Sequence, residues 1–417
     1  MVLNLHARML RWHPQTNPWC DNFMQISGKQ QRLLGVDAAR LLAILGMFAA
    51  HIFALYQANG DSGFSPTFTG SVASGRASVL FMVLAGLSLS LMHESLARKG
   101  FSYPKIYSVL ARRALIIAGL GMLIGSANER IAVILVHYGL LFLLLPLALR
   151  LPRITIWVVS ASWVIVMPVL WRPLAAAWLG QSLGHNPTYF DLLLPAPLLQ
   201  DLLVTGYYPL MIWFGYGLLG ICLARCNLRS QKIAASLSII GTLVALGTYL
   251  VGRAVSLGHT EQISQAVGTP SSTVSTLIAA GRLPGINFDP YLTNIDYLWL
   301  PTGHSNSLLA TLHAAGCAVA VIGLLLLVIP HLGVLGRILA GAGRAPLTLY
   351  AGHIVLLPAL QYFLEPVVIW WILITVTAGF GLWLGLTKAS GPLEFCIRIL
   401  SGADATSGTQ KSTPNNK

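Results

Sequence analysis

The chain has 417 residues, of which 55% are hydrophobic and only 9% charged, and its mean hydropathy is +0.70. Roughly a quarter of the residues of a soluble globular domain are charged, so this composition excludes that class and predicts a membrane protein. The formal net charge of +13 comes from Lys and Arg in short loops between apolar segments. That distribution is typical of cytoplasmic loops and argues against a nucleic-acid partner.

Apolar segments long enough to cross a lipid bilayer occur about ten times along the chain. The predicted fold is all-α, a polytopic bundle of about ten transmembrane helices at 39–58, 71–92, 109–127, 131–149, 154–171, 202–224, 233–251, 307–329, 345–361 and 366–387. This transmembrane domain covers residues 31–400. It follows a polar N-terminal segment, 1–30, and precedes a Ser/Thr/Asn-rich tail, 401–417, which we predict to be disordered.

Basic residues are concentrated in alternate loops of this predicted topology. Most Lys and Arg fall on one side, and the opposite loops hold only Arg130, Arg172, Arg253 and Arg282. The positive-inside rule therefore predicts a multi-pass protein of the cell membrane whose N- and C-termini are both cytoplasmic.

Two predicted extracytoplasmic loops, 172–201 and 252–306, are longer than a bundle requires. Long loops are typical of functional or disordered segments. Within the second loop, residues 274–280 are partly apolar, so a re-entrant or interfacial helix and a plain loop both remain open there.

The chain has five cysteines, and in this topology none is placed for an extracellular disulfide. Cys222 and Cys226 have a CxxxC spacing without a matching His or Cys pair, which favours a packing role over metal binding. We therefore predict no metal.

The first apolar segment carries three ionisable residues on one helix face. At 100° per residue, Arg40 and His51 lie about 20° apart, and Asp37 and His51 about 40° apart. His51 lies about 16 Å beyond Arg40, near mid-membrane if Arg40 is at the inner interface. Embedded ionisable groups are often functional, yet an interfacial Asp37–Arg40 ion pair and a His51 that only donates an interhelical hydrogen bond explain the same pattern. Spacing alone leaves both interpretations open.

Other polar groups occur inside or near the predicted spans. Arg76 lies near the outer end of the second span among small residues, where either ligand binding or snorkelling to the interface fits. Tyr138 is embedded beside His137, and Tyr350 and His353 share one face of the ninth span, since they are three residues apart. For each of these, a structural role is the alternative to a functional one.

Three basic residues stand at inner helix starts: Arg112, Arg113 and Arg344. Backbone N–H groups and guanidinium groups together bind phosphate well at such positions. The alternative is that these charges only set the topology.

Segment 36–40, which contains the Asp-x-x-Arg motif at 37–40 and runs into an apolar helix that contains His51, resembles the opening helix of the heparan-α-glucosaminide N-acetyltransferase-like membrane family. More loosely, it is similar to the first helix of the membrane acyltransferases that modify envelope sugars. The resemblance continues over nearly the whole chain, at 74–86, 138–144, 206–209, 303–305 and 342–350.

The resemblance implies a membrane enzyme that moves an acyl group, acetyl above all, from cytosolic acyl-CoA to an extracytoplasmic sugar or glycolipid acceptor. Acetyl-CoA is then a co-substrate, and the lipid bilayer is the medium. The implied catalytic residues are His51, Asp37 and Arg40. The predicted substrate-binding residues are Arg76, Tyr138, His304, Arg112, Arg113 and Arg344, with the CoA phosphates at Arg112, Arg113 or Arg344 and the acceptor at the outer loops with His304.

Two positions depart from the family pattern. Leu41 replaces the glycine that usually follows the motif arginine. The lysosomal member has asparagine at the position of His51 and its proposed active histidine in the loop after the first helix, whereas residues 52–92 of this chain contain no histidine. In an active enzyme, His51 must therefore take over this role, since imidazole suits both proton transfer and acyl acceptance.

A transporter or flippase for a small or lipid-linked solute is the main alternative, in which the embedded His and Arg residues bind cargo. A structural or partner-binding membrane protein is a third. The sequence leaves open the acyl group, the acceptor and whether the chain forms a homo-oligomer.

Overall fold

The computed structural model describes residues 32–58, 64–73, 75–129, 131–279 and 289–404. The chain divides into two units, residues 1–33 and 34–417, and every helix and strand below belongs to the second. The predicted N-terminal segment and all but the first four residues of the predicted tail lie outside the described residues.

The described chain is overwhelmingly helical. Its α-helices are α1 (Leu34–Ile52), α2 (Phe68–Val72), α3 (Arg76–Arg98), α4 (Tyr103–Ala127), α5 (Leu135–Leu144), α6 (Arg153–Ala177), α7 (Pro195–Gln200), α8 (Leu210–Ala224), α9 (Gln231–Gly258), α10 (Thr260–Val267), α11 (Ser271–Ala279), α12 (Leu308–Val328), α13 (Gly333–Ala342), α14 (Pro346–Phe363), α15 (Pro366–Thr387) and α16 (Pro392–Leu400). Strands β1 (Tyr56–Ala58) and β2 (Phe64–Pro66) form a short antiparallel ribbon after α1. This architecture confirms the all-α polytopic fold.

The predicted number of about ten membrane-spanning helices is wrong. Among the described residues, seven helices are long and apolar enough to cross a membrane, or eight if the segments Pro195–Thr205 and Leu210–Ala224, bent by 59°, form one span. The predicted span at 131–149 is a ten-residue α5 that continues as a tighter 3₁₀ segment, Leu145–Arg150. The span at 345–361 is α14, whose apolar character is interrupted by Tyr350, His353 and Gln361.

Helices α1 and α3 form the centre of the bundle, and α9 lies at its edge. Within their apolar windows, 61% of α1 and 76% of the segment containing α3 are buried, against 17% of α9. Helix α1 packs against α3, α12 and α13. Polar side chains on α1 and α3 are therefore surrounded by protein, whereas most of α9 faces lipid.

Helices α9 and α12 form the most extensive helix pair of the described structure. Small residues allow this close approach: a Cβ on Gly241 would lie 2.7 Å from the carbonyl oxygen of Gly316. Likewise, a Cβ on Gly316 would lie 2.7 Å from the backbone nitrogen of Ala245. Backbones that approach this closely gain van der Waals contact, the main source of helix association in lipid.

The two long loops contain secondary structure of their own. The first includes the 3₁₀ turn Phe190–Leu193 and helix α7. The second includes α10, α11 and two 3₁₀ turns, Asp289–Thr293 and Ile295–Trp299. The helical alternative for the partly apolar segment of this loop is therefore confirmed over residues 274–279.

Candidate active site

Helix α1 carries polar residues at both of its ends, which define two ends of the bundle. Asp37 lies in the first turn of α1 and His51 in the last turn. We call these regions the Asp37 end and the His51 end. The sequence placed His51 near the middle of a span at 39–58, but α1 ends at Ile52, so His51 lies at the helix terminus.

A cavity of about 480 Å³ opens at the His51 end. This volume lies within the range of small-molecule binding sites. Its walls come from α1, α3, α6 and α14, from the two long loops, and from the segments that precede α5 and α8. The polar and aromatic residues that line it are His51, Ser78, Trp171, Trp178, Ser182, Thr205, Tyr207, Tyr208, Asp289, Tyr297, His304, Ser305, Asn306 and Tyr350. Hydroxyl, imidazole and aromatic groups in this density suit a polyhydroxylated ligand such as a sugar.

The imidazole rings of His51 and His353 form a hydrogen-bonded pair. Nδ1 of His51 lies 3.0 Å from Nε2 of His353, and the two rings are parallel to within 5°. His353 is buried in α14, where Phe48 and Tyr350 pack against its ring. The sequence identified His353 only as an embedded polar group, and the structure gives it a partner 302 residues away.

The contacts of this pair fix its tautomers. Nδ1 of His353 lies 3.3 Å from the carbonyl oxygen of Leu349, which only accepts hydrogen bonds, so this nitrogen carries the proton. Nε2 of neutral His353 then accepts the Nδ1–H of His51. The lone pair of His51 is consequently on Nε2. That nitrogen has no hydrogen-bond partner among the residues that the structure describes, and the side chain lines the cavity.

His304 lies in the loop that precedes α12 and lines the same cavity as His51. Its φ angle is 63°, and that of Asn306 is 56°, both in the left-handed region that is uncommon for residues with a Cβ. The Trp213 indole N–H donates to Oδ1 of Asn306 at 3.3 Å, and the Trp213 ring stacks near His304. The structure therefore brings together two residues, His51 and His304, that the sequence analysis selected separately.

Further contacts hold this loop against the bundle. The Tyr297 hydroxyl donates to the carbonyl oxygen of Ser305 at 2.8 Å, and burial raises the pKa of Tyr297 well above its ordinary value. Tyr297 therefore remains a neutral donor. Gly75, with φ of 72°, lies so close to the loop that a Cβ there would be 3.2 Å from Cα of Gly303.

Arg76 does not line the cavity of His51. Its Nε donates to Nε2 of His313 at 3.0 Å, and one terminal nitrogen donates to the carbonyl oxygen of Ser71. His313 in turn donates from Nδ1 to the carbonyl oxygen of Ala245 at 2.8 Å. The sequence analysis missed His313, although an ionisable residue within the apolar helix α12 was a signal that could have found it.

At the Asp37 end, Asp37 and Arg40 form an ion pair that is enclosed by the bundle. Their side chains are 2% and 16% exposed, so the predicted ion pair at the start of the helix is present and is largely buried. Arg40 also donates to Oγ of Ser88 at 2.8 Å. Because His51 is about 16 Å further along α1 than Arg40, these two residues do not share a site with His51.

The remaining selected residues also lie at the Asp37 end. Tyr138 stacks on Phe142 and interacts electrostatically with Arg113. Nε of Arg113 is buried without a hydrogen-bond partner in the described chain. Arg112, its neighbour, is exposed, and its Nε donates to the carbonyl oxygen of Ser108.

Arg344 has a different environment. Its guanidinium group donates to the carbonyl oxygens of Leu384, at 3.1 Å, and of Lys388. These carbonyls belong to the C-terminal end of α15, where a cation is favoured. Arg344 therefore has a structural role at the end of α15, whatever else it binds.

In the described ranges, no group of three or more His, Cys, Asp or Glu side chains is arranged to bind a metal ion. The four described cysteines, Cys222, Cys226, Cys317 and Cys396, are free thiols.

Comparison with known proteins identifies the family. The sequence model of the catalytic region of heparan-alpha-glucosaminide N-acetyltransferase matches residues 32–256, which is more than half of the chain. The match includes α1 with His51 and ends near the C-terminus of α9, so the resemblance seen at 303–305 and 342–350 stays a prediction. A search of curated proteins finds no match. The chain therefore belongs to the heparan-alpha-glucosaminide N-acetyltransferase family, a family of membrane acetyltransferases.

Proposed function

We propose that this protein transfers an acetyl group from cytosolic acetyl-CoA to an extracytoplasmic sugar acceptor, with His51 at the reacting centre. The observation that carries the proposal is the His51–His353 pair, which leaves Nε2 of His51 directed to a cavity of sugar-binding size. Imidazole is the side chain best suited to proton transfer near neutral pH.

Two chemical roles for His51 use the same nitrogen. As a general base, Nε2 takes the proton of an acceptor hydroxyl or amine while that atom attacks the thioester carbonyl carbon. The C–S bond then breaks, and the thiolate is protonated to free CoA. As a nucleophile, Nε2 itself attacks the thioester carbon, carries the acetyl group and releases it to the acceptor. In both roles His353 accepts the Nδ1–H of His51 and fixes the ring orientation.

The donor side follows from the predicted topology, in which the Asp37 end is cytoplasmic. Arg113 is better suited than Arg112 and Arg344 to bind a CoA phosphate, because it combines a buried Nε without a partner with a guanidinium group that donates to no backbone carbonyl in the described part of the chain. Arg344 already donates to two backbone carbonyls, and Arg112 is exposed. The thioester arm of the bound acetyl-CoA then has to reach about 16 Å along α1, the separation between Arg40 and His51, so that the C–S bond breaks at His51.

Proteoliposomes test this function. Labelled acetyl-CoA is enclosed in the lumen. The protein is oriented with its predicted cytoplasmic side towards the lumen, which two cysteine variants verify: Arg229→Cys is protected from an impermeant thiol reagent, and Gly258→Cys reacts with it. A sugar acceptor is added outside. We expect labelled acetyl-sugar outside the vesicles and free CoA inside.

The alternative functions give other results in the same vesicles. Movement of unmodified sugar into the lumen without covalent labelling would instead establish a transporter. Neither labelling nor movement, with the protein shown to be folded, would leave only a structural role.

A further inference from the structure

A second cavity of about 480 Å³ is a groove on the lipid-facing side of the bundle. It lies between α1, α3, α9 and α12, and its lining is mostly apolar. Leu42, Val72 and Leu246 at its rim are exposed on the protein surface, so the groove opens sideways into the lipid phase. Along α12 it reaches from His313 to Val321, about 12 Å at the rise of an α-helix.

The polar groups of this lateral groove are concentrated at one end, around Arg76 and His313. In the described ranges, no carboxylate forms an ion pair with Arg76. Nε and one terminal nitrogen of Arg76 donate to His313 and Ser71, and its guanidinium group also interacts with the thiol of Cys317. A cation at the end of an apolar groove complements an anionic headgroup on a lipid chain, and a guanidinium group binds phosphate well.

The lateral groove adjoins the cavity of His51. Ala73 and Ala77 line both. A small cavity of about 30 Å³ also lies between them: it shares Arg76 and His313 with the groove, and Gly75, His304 and Asn306 with the cavity of His51. A ligand whose phosphate is at Arg76 therefore has its lipid chain on one side and the candidate reacting centre on the other.

We propose that the acceptor is an amphiphile, a sugar joined through a phosphate to a lipid chain, which enters from the membrane. The lipid chain lies in the lateral groove, the phosphate binds Arg76, and the sugar reaches His51 past His304. This inference rests on the proposed acetyl transfer only in that it calls the ligand an acceptor. The binding site itself does not depend on that chemistry.

Direct binding without any acyl donor tests the groove. Tritiated farnesyl phosphate is titrated into the purified full-length protein. We expect Arg76→Gln, which removes the cation, and Thr242→Trp, which fills the groove from α9, each to weaken binding about ten-fold or more. Two matched controls should stay within about two-fold of the wild type. They are Arg253→Gln, an exposed arginine that does not line the groove, and Leu243→Trp, the neighbouring lipid-facing position.

Competition experiments identify the occupant. Farnesol and inorganic phosphate should each displace farnesyl phosphate much less effectively than a farnesyl-phosphate-linked sugar does. If farnesol binds as tightly as farnesyl phosphate, the groove is only an apolar surface. If inorganic phosphate binds as tightly, Arg76 is a site for free anions. Displacement by phosphatidylglycerol at the same concentration would assign the groove to a structural phospholipid. Each of these results, or equal loss in Thr242→Trp and Leu243→Trp, overturns the proposal.

The experiments distinguish failure of the lipid-binding hypothesis for the groove from failure of the proposed acetyl transfer. Groove-dependent binding without acetyl transfer in the vesicle assay would reject the transferase and keep the lipid-linked ligand. A different pair of results would reject the lipid-linked acceptor alone. These are the absence of groove-dependent binding, and transfer to a water-soluble sugar with the same KM in Arg76→Gln, Thr242→Trp and the wild type.

Discussion

The two ends of α1 carry polar clusters that differ in whether their hydrogen-bonding capacity is used. At the Asp37 end, the carboxylate of Asp37 and the guanidinium group of Arg40 pair with each other, and Arg40 also binds Ser88. At the His51 end, one nitrogen of His51 is held by His353 and the other faces a cavity. A cluster whose charges are neutralised internally stabilises the bundle, whereas a held but incompletely bonded imidazole has capacity left for a substrate.

Asp37→Asn should give the largest effect on stability. It leaves the guanidinium group of Arg40 without its counter-ion inside the protein, which costs about 3–5 kcal/mol in buried ion pairs. Thermal unfolding in detergent measures this loss, and the double variant Asp37→Asn/Arg40→Gln should recover part of it. Transfer per folded molecule should fall less in Asp37→Asn than in a His51 variant. The opposite order would make the Asp37 end part of the reacting site.

His51→Gln should give the largest effect on transfer. Glutamine keeps hydrogen-bonding capacity and roughly the volume but neither cycles a proton nor holds an acetyl group near neutral pH, so the rate should fall at least ~10²-fold. The matched control is His137→Gln, since His137 is embedded, lies outside the cavity and has no hydrogen bond on either ring nitrogen in the described structure. Full transfer by His51→Gln with lowered stability would remove His51 from the mechanism.

His353→Leu should reduce transfer about ten-fold, because loss of the acceptor for Nδ1–H frees the ring of His51 to rotate and exchange tautomers. His353→Gln, whose amide oxygen still accepts that hydrogen bond, should recover most of the rate. Single-turnover kinetics on both variants, with unfolding temperatures, separates positioning from packing. Equal rates in the Leu and Gln variants would show that His353 is only a packing residue.

Arg113→Gln should have the smallest effect of these variants, a rise of about three- to ten-fold in the KM for acetyl-CoA with little change in kcat. Arg112→Gln, the adjacent and exposed position, should change the KM by less than about two-fold. The acetyl-CoA dependence of the rate measures both. A larger effect at Arg112 than at Arg113 would place the CoA phosphates on the surface of α4 rather than inside the bundle.

The sequence predicted the helical class well but the number of spans poorly. Hydropathy detects an apolar segment whether or not its backbone stays regular, so it counted 131–149 as one span although the helix tightens to a 3₁₀ segment at Leu145. It likewise did not detect the break between Thr205 and Leu210, where Tyr207 and Tyr208 lie. Prolines such as Pro209 mark such sites only approximately.

The sequence could select candidate residues where one helix carries the signal. Periodicity placed Asp37, Arg40 and His51 on one face of α1, and the family resemblance added His304. The partners were not predicted: His353 is 302 residues from His51, and His313 is 237 residues from Arg76. Periodicity relates residues within one helix, and it carries no information about which helix lies opposite.

By itself, then, the amino-acid sequence determined that this chain is a helical membrane protein of an acetyltransferase family, because hydropathy and a local motif depend only on neighbouring residues. The tertiary structure decided which polar groups meet. Packing of α1 against α13 and α3 encloses the Asp37–Arg40 pair, and packing against α14 gives His51 its partner. An embedded histidine acquires a defined tautomer and a nitrogen facing a cavity only through the helices and loops that surround it.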